Sequence, residues 1–210
     1  TRIMFGTDTH YNYSLKSTFV AIMLLFWPLL LQGQVEAESF CLESKRITQK
    51  GMIVLGTWAA GNIATGAYGW SRYSGSQKYF HQMNLFWNTI NLAIAGYALY
   101  NNYTTDCAGV PYAEVLAKHH QTERILLINA FADIDYIGTG LTLRYVSPKF
   151  PARTDMLKGY GNSLLLQGGF LLIFDGIMYG IMSHSSSSVA QNLHLSLTQE
   201  FPRLQFLVSF

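Results

Sequence analysis

The chain has 210 residues, half of them apolar and only 12% charged, with a formal net charge of +2. Soluble domains carry roughly a quarter charged residues, so this chain is depleted about twofold, and its mean hydropathy is positive at +0.16. The Lys and Arg residues are scattered, which excludes the clustered basic face of a nucleic-acid-binding protein. No phosphate-binding glycine loop, metal-spaced ligand set or nucleophile motif is present, so no catalytic residue and no cofactor is expected. Composition points to an integral membrane protein whose first partner is the lipid bilayer.

In chain order, residues 18–31 form an apolar run behind Lys16, the length of a signal-peptide core and short for a span. Leu31-Gln32-Gly33 and Val35-Glu36-Ala37 offer small-residue cleavage sites. Residues 1–34 are therefore read as a cleavable signal peptide, with an uncleaved anchor as the alternative. A polar stretch of mixed charge, residues 36–50, follows. Four apolar segments come next, at residues 51–70, 79–100, 125–146 and 161–182. Each has about 20 residues, enough at ~1.5 Å per residue to cross a ~30 Å hydrocarbon core. The expected fold is an all-α membrane protein, a bundle of four transmembrane helices over residues 35–184.

The loops set the expected orientation. Residues 71–78 carry Arg72 and Lys78; residues 144–158 carry Arg144, Lys149, Arg153 and Lys158 against Asp155. The positive-inside rule puts both loops in the cytoplasm. The mature N-terminus and the C-terminus are then periplasmic, and the protein is expected in a bacterial inner membrane. Cys41 and Cys107 share the outer side, where a disulfide is permitted; two unrelated thiols are the default reading. His119 and His120, adjacent in a polar segment, are read as solvated.

Thr65-Gly66 before Arg72-Tyr73, and Thr139-Gly140 before Arg144-Tyr145, suggest a tandem repeat of one helical hairpin. Gly61, Thr65 and Gly69, and separately Gly176 and Gly180, stand at four-residue steps that suit tight helix packing. From residue 185 the character changes. Four serines precede Leu193, Leu195 and Leu197, which alternate with polar residues, and a second near-alternating run spans 204–210. Residues 185–210 are thus read as an extracytoplasmic tail resembling a β-hairpin.

The polar residues inside the apolar segments carry the functional signal, because a carboxylate in hydrocarbon is costly and defaults to a functional role. His81, Asn84, Asn88 and Asn91 form one stripe of the second helix at spacings of three, four and three. The third helix contributes Asn129 and Asp133 with Tyr136 on one face and Asp135 on an adjacent one; the fourth contributes Gln167, Asp175 and Tyr179; the first contributes Asn62. Counted from the outer ends, Asp133 and Asp175 lie roughly 11–12 Å deep, with Asn91, Asn62 and Asp135 at ~13–17 Å. His81 stands apart, near the cytoplasmic end. Amide glue between helices is the competing explanation, at ~0.6–2 kcal/mol per hydrogen bond.

The strings Gly61-Asn62-Ile63-Ala64, Lys78-Tyr79-Phe80-His81-Gln82-Met83-Asn84, Trp87-Asn88, Ala95-Gly96, Lys158-Gly159-Tyr160-Gly161-Asn162-Ser163, Gln167-Gly168-Gly169-Phe170 and Phe174-Asp175-Gly176-Ile177-Met178-Tyr179 resemble an uncharacterised family, a domain of unknown function, of small four-helix membrane proteins from Gram-negative bacteria. The resemblance covers roughly residues 49–210. It implies a signal peptide, about four helices, a short Leu-rich tail and an envelope location, and assigns no ligand. The functional expectation is a non-enzymatic membrane protein in which Asp133, Asp135, Asp175, Asn62, Asn88, Asn91 and His81 are candidates for binding a small polar ligand, cation or proton. The alternative is a structural or assembly subunit of an envelope complex, with a membrane-protein partner or a second copy of itself.

Overall fold

The structure, a computed structural model, describes the backbone of residues 8–200 and the side chains of residues 36–188. Four helices account for nearly all of it: α1 (Asp8–Arg72), α2 (Gly75–Thr104), α3 (Tyr112–Val146) and α4 (Thr154–Glu200). Two single 3₁₀ turns, Ser147–Lys149 and Pro151–Arg153, connect α3 to α4. Proline opens each turn, where its missing N–H is no loss. No strand occurs among the described residues.

The polar stretch 36–50 is part of α1, with Ala37, Phe40, Cys41 and Ile47 buried in the bundle. Residues 8–34, expected as a signal peptide, are helical and continuous with it. The tail differs from the expectation. Residues 193–200 belong to α4, because the serines before it carry on the helix, three of them bonding back to carbonyls three or four residues earlier. The period-two leucines therefore make no strand; the second expected strand, at 204–210, lies outside the described residues.

The helices pack as two hairpins, α1 on α2 and α3 on α4, joined mainly through α2 and α4. Each hairpin crosses at the glycine of its Thr-Gly pair. A Cβ at Gly66 would stand 2.9 Å from the His81 carbonyl oxygen, and one at Gly140 2.8 Å from that of Gly161. Both inter-helix turns lie at one end of the bundle, where Gly75, at φ +58°, sits beside the Asp155 carboxylate. Gly61, Gly176 and Gly180, in contrast, have open space where a Cβ would be. Their four-residue steps face away from the bundle, and of these glycines only Gly69 meets a neighbour, the His81 ring.

At the opposite end a disulfide joins Cys41 of α1 to Cys107 in the α2–α3 loop. The default reading of unrelated thiols is overturned because α1 extends a further turn and more past the expected span and brings Cys41 to that loop. Phe40 and Val115 pack around the bridge. Lys45 donates to the Thr105 carbonyl and Asn102 donates to the Lys45 carbonyl. His119 is not solvated: it is buried beneath Phe40, with Nδ1 3.0 Å from Ser44 Oγ and Nε2 2.9 Å from the Met182 carbonyl oxygen. One imidazole thus ties α3 to both α1 and α4.

The bridge closes a loop over a sequence separation of 66 residues, for which chain entropy sets a stabilisation of about 4 kcal/mol at most. Replacing both cysteines by serine should lower the unfolding free energy by about 2–4 kcal/mol, read as a lower thermal midpoint by circular dichroism. Maleimide should label the wild-type chain only after reduction.

Candidate functional site

Three amides of α2 face inward: Asn84, Asn88 and Asn91 are, with Ala95, its buried positions, while Phe86, Ile90, Leu92, Ile94 and Tyr97 are exposed. These inward amides divide into two groups with different chemistry.

The first group is a network of paired amides, in which the Asn88 Oδ1 alone is buried without a partner. Asn84 donates through Nδ2 to Asn62 Oδ1 at 2.8 Å and accepts through Oδ1 from Gln167 Nε2 and from Asn88 Nδ2. Gln167 Oε1 in turn accepts from Trp58 Nε1 at 3.2 Å, and Trp58 stacks on Phe170. Asn62 Nδ2 returns to the Trp58 carbonyl. The network joins α1, α2 and α4 and uses both ends of the Asn84 amide. Buried amides paired in this way hold helices together, and none of these residues lines a cavity.

The second group is open. A cavity of about 670 Å³ runs from the disulfide end into the middle of the bundle. It exists because α2 and α3 make almost no direct contact. Its walls include Leu55, Ile90, Ile94, Leu126 and Leu171; Lys45, Asp106 and Lys118 stand at the mouth. At the inner end are Asp133, Asp175, Asn91, Trp87 and Tyr136. The Trp87 and Tyr136 rings meet edge to face at 4.7 Å, the bridge from α2 to α3.

Asp133 and Asp175 are 2% and 5% exposed, and their carboxyl groups face each other within hydrogen-bonding distance. Three side-chain atoms at this inner end are buried without a partner: Asp133 Oδ2, Asn91 Nδ2 and Trp87 Nε1. Buried polar groups are nearly always paired, and facing carboxylates repel unless a proton or cation stands between them. The residues that carry this acceptor and these two N–H donors line the inner end of an apolar-walled cavity, the composition of a small-molecule pocket.

Of the residues singled out by sequence, Asp133, Asp175 and Asn91 come together at the cavity, and Asn62 and Asn88 belong to the amide network. His81 lies at the other end, half-buried and stacked on Tyr73 at 5.2 Å. Asp135 is exposed on the side of α3 away from α4. Trp87 went unnoticed as a site residue, since a tryptophan in an apolar helix carries no signal. Its place four residues before Asn91 was the available clue, because that spacing puts both on one face. Among the described residues no group of three or more His, Cys, Asp or Glu could hold a metal ion.

Asn84→Ala should cost about 2 kcal/mol, because it leaves the buried Gln167 Nε2 and the half-buried Asn62 Oδ1 without partners. Asn91→Ala should cost less than about 1 kcal/mol, because its Nδ2 has no protein partner to lose. Denaturant unfolding of the two variants, followed by circular dichroism, separates the network from the site.

No curated protein matches the chain, and no solved structure does. A family model does match, over residues 54–176. That stretch holds every candidate residue from Asn62 to Asp175 and Cys107, while Cys41 lies outside it. By this match the chain belongs to the family of unknown function DUF6992.

Proposed function

We propose that the protein is a multi-pass inner-membrane protein of bacteria in which Asp133 and Asp175 bind a proton, cation or small polar ligand reached from the periplasm. The observation that carries this reading is the inverted polarity of the bundle. Asn88, Gln167 and Asp133 are at most 2% exposed, while Ile90, Ile177 and Phe131 are more than half exposed. In water such an arrangement wastes the hydrophobic effect; in a bilayer it keeps polar side chains inside and leaves hydrocarbon to lipid.

Two stretches, Tyr112–Lys149 and Pro151–Ser188, are long and apolar enough to cross a membrane. On the four-span reading, α2 falls below that apolarity because its inner face is a column of amides, and α1 because its span is rich in Gly, Ala and Thr. The turns carrying Arg72, Lys78, Arg144, Lys149, Arg153 and Lys158 share one end of the bundle, which supports a cytoplasmic location for it. The disulfide then faces the oxidising periplasm. Ala37 and Phe40 are buried, which favours signal cleavage near Gly33 over cleavage at Ala37.

A second reading, an assembly subunit, is favoured by the outer faces of α3 and α4. Gly176 and Gly180 lie open between exposed Ile173, Ile177 and Ile181, and Asp135 is exposed midway along the expected span. A partner helix could approach the glycines closely and supply a donor to Asp135.

Asp175→Asn decides between a binding and a purely structural pair. The variant should accumulate and unfold within about 1 kcal/mol of wild type. It should also lose the infrared carboxyl C=O signal that responds to a pH jump or to added sodium or potassium in wild-type proteoliposomes. A variant that fails to accumulate, with Asp133→Asn behaving alike, returns the pair to the structural network. Under the subunit reading, deleting residues 185–210 should release a co-purifying protein while leaving the infrared response intact.

A further inference from the structure

The shape and lining of the cavity restrict what the carboxyl pair can meet. Along α2 the lining runs from Trp87 to Asn102, a length of roughly 22 Å at the helical rise. A volume of about 670 Å³ over that length makes the cavity an elongated slot. The walls are apolar, so a bare hydrated ion would leave most of the volume without favourable contacts.

The inner end specifies the polar group. Asp133 Oδ2 is an acceptor without a donor, and Asp175 adds a second carboxyl beside it. The basic residues of the lining, Lys45 and Lys118, stand at the mouth, and Lys45 already donates to Thr105. Trp87 and Tyr136 set aromatic rings beside the carboxyls, and carboxylates combined with aromatic rings are the surroundings that favour an organic cation. Asn91 Nδ2 and Trp87 Nε1, on two residues of the same lining, have no partner within the protein.

The route follows from the packing. Because α2 and α3 barely touch, the slot is flanked along its length by exposed Ile94, Tyr97 and Ile125. On the membrane reading these residues face the outer leaflet, so an amphiphile reaches the carboxyls sideways from lipid.

Resting on the function proposed above and naming its ligand class, we infer that the cavity binds a lipophilic ammonium, its charged nitrogen against the Asp133–Asp175 carboxyl pair and its apolar body along the α2–α3 slot.

The test uses the full chain in phosphatidylcholine nanodiscs, which lack anionic lipid to concentrate amines. The probes are radiolabelled decylamine and, as its uncharged counterpart, decanol. Decylamine should bind saturably at one per chain over empty nanodiscs, at least tenfold more tightly than decanol. Asp133→Asn should weaken it at least tenfold, and Asp155→Asn, a carboxylate outside the cavity, should leave it unchanged. Equal binding of amine and alcohol overturns the inference, as does no saturable binding or an Asp133→Asn variant that binds as well as wild type. If decylamine fails while the Asp175-dependent infrared response to protons or potassium persists, only the ligand class falls. If both fail, the binding function falls with it.

Discussion

The inward column of amides on α2 is the constraint on which the rest of the bundle depends. Asn84, Asn88 and Asn91 are separated by four and three residues, so they share one face. That face must be buried against partners that hydrogen-bond it, since an orphaned buried amide costs about 1–3 kcal/mol. Once Asn84 has found Asn62 on one side and Gln167 on the other, the rotation of α2 about its axis has no freedom left. Phe86, Ile90 and Ile94 then point outward as a geometric consequence. Hydrophobic residues are thus outside because the polar ones have claimed the inside, an order of causes that suits a hydrocarbon surrounding.

The same rotation opens the cavity. At the turn end the helices come together backbone to backbone, through Gly66 against the His81 carbonyl and Gly140 against that of Gly161. Gly168, deeper along α4, still faces the Asp133 carbonyl oxygen closely. Beyond it the α2 and α3 axes stay apart, with one ring pair, Trp87 and Tyr136, spanning the gap. The Cys41–Cys107 bridge and the His119 tie brace the far end. Glycine crossings at one end and a covalent brace at the other hold the slot open without requiring anything to fill it.

Much of this was legible in the sequence, for identifiable reasons. The helices announced themselves by apolar runs of spanning length, and the α2 stripe by its spacing. Counting rise along each helix was enough to put Asp133 and Asp175 in one slab, because rise is nearly constant. Rotation between helices is not encoded so locally, which is why Asp135 was grouped with two residues it does not meet. The amides could not be sorted into network and site either. Asn88 and Asn91 have the same side chain, and only the presence or absence of a neighbouring donor or acceptor distinguishes them. The disulfide escaped because residues 36–50 read only as a polar stretch of mixed charge; their burial comes from tertiary contacts to the α2–α3 loop, which periodicity within α1 does not report. The alternating leucines near residue 195 misled for the opposite reason, since a short period-two pattern yields to a helix already propagating from residue 154.

The distinction between amide and acid carries the functional argument. An amide has both a donor and an acceptor, so amides can pair with one another, as Asn62, Asn84 and Gln167 do. Asparagine at position 175 would offer Asp133 an N–H donor. A carboxyl there withholds the donor and leaves two acceptor groups facing each other inside a protein interior. That arrangement persists only if something positive completes it, a proton at the least. Geometry adds that the completing group has room behind it, some 670 Å³ of largely apolar space, which a proton does not use. A cation with a hydrocarbon body uses both.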